Sequence, residues 1–190
     1  MQAPPPPPQK NRNVALWIVL GLLAVCGCGV VPVIAAILFP VFAQAKLAAK
    51  RTATLSNSKQ AALAVLMYSA DWNDRLPRAD QWMDATMPYS KNDGIYKSLI
   101  VAERDALAYG FAFRKEFDRK KIVDFPDPTR RATIFDSTLT QRNATGGLDT
   151  LPVPGRYQGA NIIAFLDGHA KATKDSELKN VDADGDPMIR

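Results

Sequence analysis

Few side chains in this sequence have the chemistry for catalysis. There is one histidine, His169, and there are two cysteines, Cys26 and Cys28, both inside an uncharged apolar stretch. That stock cannot build a common zinc site, and a Ser-His-Asp constellation would depend on His169 alone. His169 follows Asp167-Gly168, a dipeptide suited to a tight turn, and is expected as an exposed strand residue. Asp71, Asp74 and Asp80 bring three carboxylates into one short segment, and paired acids do general acid–base work when their separation is right. With Asn73 beside them, Asp71 and Asp74 read more simply as a polar turn that ends a helix. Trp72 and Trp82 offer either an aromatic platform or a core residue with a staple beside it. Asp182, Asp184 and Asp186 alternate in an oxygen-rich run that suits Ca²⁺, without the bidentate glutamate of an EF-hand. Two readings stand for that run: a calcium loop, or part of an acidic, flexible tail over 176–190. Ca²⁺ is the one cofactor considered, no catalytic residue is expected, and the protein reads as noncatalytic.

The elements that would position these groups follow from charge and periodicity. The 190 residues carry 24 Lys and Arg against 19 Asp and Glu, enough for one modest domain and an appendage. The first 45 residues hold only Lys10 and Arg12, so the remainder is evenly mixed and weakly basic, which excludes a clustered nucleic-acid footprint. Residues 3–8 are alanine followed by five prolines, and the segment 1–13 is expected to be a disordered, extended tail. Residues 14–43 contain no charge, whereas about 20 apolar residues cross a bilayer as a helix. They are expected to form a single transmembrane helix with Trp17 near a headgroup region. A cleaved signal peptide competes, and Leu23-Ala24-Val25-Cys26 approaches a lipobox, although Val25 is large for it. Flanking charges are nearly balanced and leave the orientation open.

Helical patterning continues beyond the span. Residues 44–70 contain neither Gly nor Pro, and Leu47, Leu55, Ala62, Leu66 and Ala70 mark one apolar face, widened by Leu63, Val65 and Met67. This predicts one long helix, transmembrane first and then an amphipathic spine, with a kink at Pro40. Past Trp72 the pattern becomes short runs between turn residues, with strands predicted at 109–114, 132–137, 160–166 and 169–173. Asp167-Gly168 predicts a type I′ hairpin between the last two. The run 160–166 does not alternate cleanly in polarity, which fits a strand buried on both faces or one packed hard against the spine. The expected fold class is α+β: the long helix packed on a small antiparallel sheet, with a head over 44–175.

Two segments carry a resemblance. Residues 38–77, LFPVFAQAKLAAKRTATLSNSKQAALAVLMYSADWNDRLP, and residues 156–171, RYQGANIIAFLDGHAK, resemble the bacterial pilin-like proteins whose C-terminal domain is named for a His-x9-Asp-Gly signature. These are relatives of type IV pilins and type II secretion pseudopilins. The resemblance implies a helix in the inner membrane, a head facing outward, and self-association or packing with other pilin-like subunits through the helix. Some pseudopilins also hold calcium in a C-terminal loop. The signature histidine falls on Tyr157, followed at the right distance by Asp167 and Gly168. A prepilin cleavage junction, expected around Ile18 and Val19 with an acid near Leu23, is missing. The resemblance therefore implies a structural or accessory part of a secretion or pilus-like assembly that prepilin peptidase does not process. The alternative is a tethered domain that never assembles and binds an envelope ligand such as polysaccharide.

Overall fold

The structure is a computed structural model that describes residues 12–178, apart from the side chains of residue 12 and residues 24–30. Asp182, Asp184 and Asp186 lie outside the described residues, as do residues 1–11 of the proline-rich tail and the side chains of Cys26 and Cys28. The chain divides into two units, 1–46 and 47–190.

One helix, α1, runs over Arg12–Asp71 and takes in Pro32 and Pro40 without a break. Its start at Arg12 corrects the expectation of a disordered tail through residue 13. Within the first unit its apolar side chains face outward: Trp17, Ile37, Phe39 and Phe42 are each more than 60% exposed. By length and composition the described helix is long and apolar enough to cross a membrane.

In the second unit α1 packs on a five-stranded sheet built from β1 (Phe111–Arg114), β2 (Ala132–Asp136), β3 (Thr145–Gly146), β4 (Ala160–Phe165) and β5 (Ala170–Lys174). The order is β3-β1-β2-β4-β5. Three pairings are antiparallel, but β3 runs parallel to β1, Phe113 opposite Thr145, so the sheet is mixed rather than wholly antiparallel. β3 is two residues long in a stretch expected to be loop. It is held by its neighbour rather than by propensity, since Phe113 N–H also donates to the Ala144 carbonyl. Three short helices complete the unit: α2 (Trp82–Ser90), α3 (Leu99–Arg104) and α4 (Asp175–Leu178). α4 orders the first residues of the segment expected as a flexible tail, and Leu178 packs on the core.

Both faces of the sheet are covered, which explains why β4 is buried at all six positions and shows no alternation. One face, with Phe111, Phe113, Ile134 and Ala164, meets Ala61, Ala62 and Val65 of α1 together with Trp82 and Tyr96. The same side of β4 continues to Ala160 and Ile162, under Leu47 and Leu55. The opposite face, with Ala112, Phe135, Ile163 and Phe165, is covered by Leu139, Leu148, Leu151 and Leu178.

The buried stripe of α1 corrects the predicted face in part. Ala62 and Val65 are buried and Leu47, Leu55 and Leu66 partly so, as expected, but Leu63, Met67 and Ala70 are exposed and Thr54, Ser58, Ala61 and Ser69 are buried in addition. The small side chains let the helix backbone approach the sheet closely. The hairpin between β4 and β5 is also not type I′. Gly168 has φ +89°, Asp167 does not adopt positive φ, Gly168 N–H donates to Phe165 O, and Phe165 N–H donates to His169 O. This is a three-residue loop with a left-handed glycine closing a bulge.

Candidate functional site

Tyr157 and Gly168, two of the three positions singled out by the resemblance, lie against α1. Tyr157, preceding β4, is buried and donates its hydroxyl to Thr54 Oγ1 at 2.7 Å, and Thr54 Oγ1 also accepts from Leu99 N–H at 3.1 Å. Ser98 Oγ lies 3.3 Å from the same phenol. Burial pushes the Tyr157 phenol up from its ordinary value, and the nearby Asp136 charge adds to that. Ten residues on, Asp167 Oδ1 accepts from the backbone N–H of His169 at 3.1 Å and lies 2.6 Å from its Nδ1. Gly168 sits directly over the helix, where a Cβ would meet Leu66 Cδ1 at 2.8 Å. The closing hairpin is thus fastened to α1 at Thr54 and again at Leu63 and Leu66.

Behind Tyr157 lies a buried ion pair. Asp136 ends β2 fully buried; it accepts from Arg156 Nη1 at 3.1 Å and from Ile162 N–H at 2.7 Å. Arg156 also donates to the Gly110 carbonyl at 3.2 Å and to the Ser137 carbonyl. Burial pushes the Asp136 carboxyl up, against the pull of Arg156 and the Ile162 amide. A cleft of about 540 Å³ opens beside Arg156, between α3 and the 152–155 loop.

A second polar cluster lies on the surface. Arg142 donates to Asp84 Oδ1 at 2.7 Å, to Asp93 Oδ1 at 2.6 Å and to the Tyr109 hydroxyl at 2.7 Å. Asn143 Oδ1 accepts from Met83 N–H at 2.8 Å at the start of α2, satisfying a helix-end donor. Burial raises the Asp84 carboxyl, but hydrogen bonds from Asn143 and Arg142 outweigh it and hold the group below its ordinary value. For Arg142, burial acts downward and the bonds to Asp93, Asp84 and Tyr109 carry its pKa above the ordinary arginine value. This clamp ties α2 to the loop before β3; its members are spread over 58 residues, and no local motif announces it.

The other candidates separate. Trp82 is fully buried, stacked on Phe113 with ring centroids 5.8 Å apart, and donates its indole N–H to the Ala144 carbonyl at 3.1 Å. Trp72 is 58% exposed and stacks on Tyr68. They share no platform. Asp71 accepts from the Tyr89 hydroxyl, Asp80 pairs with Arg78, and Asp74 sits in a left-handed turn. The three carboxylates do not converge. Asn73 and Asp74 instead make the helix-ending polar turn: both have positive φ, and Asp74 N–H donates back to Ser69 O at 2.9 Å. His169 lies flat against Phe165 at 4.3 Å and is partly exposed. Among the described residues no three His, Cys, Asp or Glu side chains are placed to hold a metal ion together.

No protein-family model matches the chain, and neither the curated proteins nor the solved structures contain a match.

Proposed function

We propose that this is a noncatalytic, single-pass protein of the bacterial inner membrane with an extracytoplasmic, pilin-like head. In this reading it is a structural or accessory component of a secretion or pilus-like assembly. The observation that carries the proposal is the run of apolar side chains of α1 that are exposed at 14–23 and again at 31–42, with little cover among the described residues. An uncharged helix of that length needs lipid or the apolar helices of other subunits around it. The same helix supplies the packed stripe of the head, the arrangement that the resemblance at residues 38–77 implies. Tyr157 and Gly168 fasten the closing hairpin to that helix, which gives the signature positions a structural role.

Lateral assembly is tested by crosslinking in native membranes. Cys26 and Cys28 are replaced by serine, and single cysteines are placed at Val33, Ile37 or Phe42. An assembling subunit gives a ladder of crosslinked species from at least one position. Monomer alone, or monomer and dimer alone, at every position contradicts the assembly reading.

A further inference from the structure

The aromatic group at the end of α1 has features of a binding platform rather than of a staple. Trp72 is more than half exposed, yet it is held firmly. One face lies on Tyr68, with centroids 5.5 Å apart and rings 12° from parallel. Tyr89 meets Tyr68 edge-on at 6.1 Å and 79°. The Tyr89 hydroxyl donates to Asp71 Oδ2 at 2.9 Å, and the indole N–H of Trp72 acts on the same hydroxyl oxygen. The indole is therefore fixed on one face and one edge, and its second face is open to water. Asp71, the residue before Trp72, uses only Oδ2 in the bond to Tyr89.

A flat apolar surface beside a carboxylate acceptor fits a ligand with the matching division: an apolar face and a hydroxylated edge. A β-linked pyranose ring has that form, with axial C–H bonds on its faces and equatorial hydroxyls around its rim. Other chemistries fit less well. Asp71 and Asp74 repel a phosphate backbone, and the neighbouring Arg75 is turned to the Arg119 carbonyl at 3.5 Å. A quaternary ammonium prefers several rings facing one shared space, whereas Tyr68 is already covered by Trp72 and Tyr89. A purely apolar partner would cover the Asp71 carboxylate with only the Tyr89 hydroxyl to satisfy it.

We propose that the open face of Trp72, seated on Tyr68 and bordered by the Tyr89–Asp71 hydrogen bond, is a subsite for one ring of an uncharged, β-linked glycan. The proposal is independent of whether the helix assembles laterally. A single platform binds weakly and gains strength when several copies engage one polymer.

The test uses full-length protein in a detergent without a sugar headgroup, titrated with cellohexaose and separately with chitohexaose and read by tryptophan fluorescence and calorimetry. A saturable response with Kd of about 1 mM is expected for at least one of them. Trp72→Ala should weaken it by about tenfold or more, equivalent to about 1.4 kcal/mol. Trp72→Phe keeps an aromatic face and should retain part of the affinity. Tyr89→Phe frees the indole edge and Asp71, and should cost about threefold. Melting midpoints of the three variants verify the fold, and Trp72→Phe and Tyr89→Phe carry the test if Trp72→Ala fails to fold. Absence of a saturable response to both sugars overturns the proposal. So does unchanged affinity in the folded variants, a response to tetramethylammonium without one to sugar, or an effect of Trp72→Ala confined to self-association.

Discussion

Arg156→Ala should be among the most damaging single substitutions in the head. The Asp136 side chain is fully buried and that of Arg156 is 13% exposed, so water cannot take over when one partner is removed. The substitution strips Asp136 of its counter-charge and leaves the Gly110 and Ser137 carbonyls without their shared donor. Breaking a buried pair from one side costs about 3–5 kcal/mol. At about 2–4 °C per kcal/mol for a domain of this size, the midpoint should fall by roughly 6–20 °C. The measurement is a circular dichroism melt of full-length protein in detergent, with a cycle made of Arg156→Met, Asp136→Leu and the double variant Arg156→Met/Asp136→Leu beside Arg156→Ala. The double variant should recover much of the loss, since no charge is then buried, although the Ile162 N–H keeps a deficit of about 1–3 kcal/mol. The defect of Arg156→Ala should also shrink with acid. Burial raises the folded Asp136 carboxyl above its unfolded value of 3.8, so the penalty is greatest above the folded pKa and is relieved as pH falls through it. A loss below about 1 kcal/mol at neutral pH would refute the reasoning, because the pair would then behave as a solvent-screened contact.

Other consequences are equally concrete. Ala61→Leu should destabilise by about 1–3 kcal/mol in the same melt, because the fully buried Ala61 sets the approach of α1 to the sheet. Met67→Ala, on the exposed side of the helix, should change the midpoint far less. Gly168→Ala should cost at least about 1 kcal/mol, combining a left-handed backbone with a 2.8 Å clash on Leu66, as read by urea unfolding. Asp84 is held below 3.8 when folded, so its contribution is complete above about pH 5 and is lost as pH falls through 3.8 and the folded value. An Asp84→Asn variant should therefore show a shallower acid decline between about pH 5 and pH 3 in parallel melts.

What could be read from the sequence divides along physical lines. The uncharged run over 14–43 and the aromatic or β-branched runs of β1, β2 and β4 announce themselves, because hydrophobic burial writes a local pattern. β3 could not be read, because its two residues pair only where Phe113 and Arg114 lie alongside. The stripe of α1 was read correctly at Leu47, Leu55, Ala62 and Val65 and missed at Thr54, Ser58 and Ala61, because periodicity was followed through large apolar residues whereas close helix–sheet packing also selects small ones. The polar turn at Asn73 and Asp74 was legible. That Trp82 is core and Trp72 exposed was not, since only the tertiary fold decides which tryptophan faces inward. The Arg142 clamp and the Arg156–Asp136 pair join residues 20 to 58 positions apart, beyond any local pattern. The one hint was an aspartate after the β-prone residues Thr133, Ile134 and Phe135 of β2, a position where a buried carboxylate needs a partner.

The central claim is that the apolar half of α1 lies in lipid while the packed half belongs to a head in water on the outer side. Cysteine accessibility tests it most directly, using single substitutions at Val33, Ile37, Ser56 and Asp149 in a chain with Cys26 and Cys28 replaced by serine. In intact cells with a permeable outer barrier, a membrane-impermeant maleimide should label Ser56→Cys and Asp149→Cys. Val33→Cys and Ile37→Cys should stay unlabelled until detergent is added. Labelling of Val33→Cys and Ile37→Cys in aqueous buffer, with the chain recovered in the soluble fraction, would contradict the account.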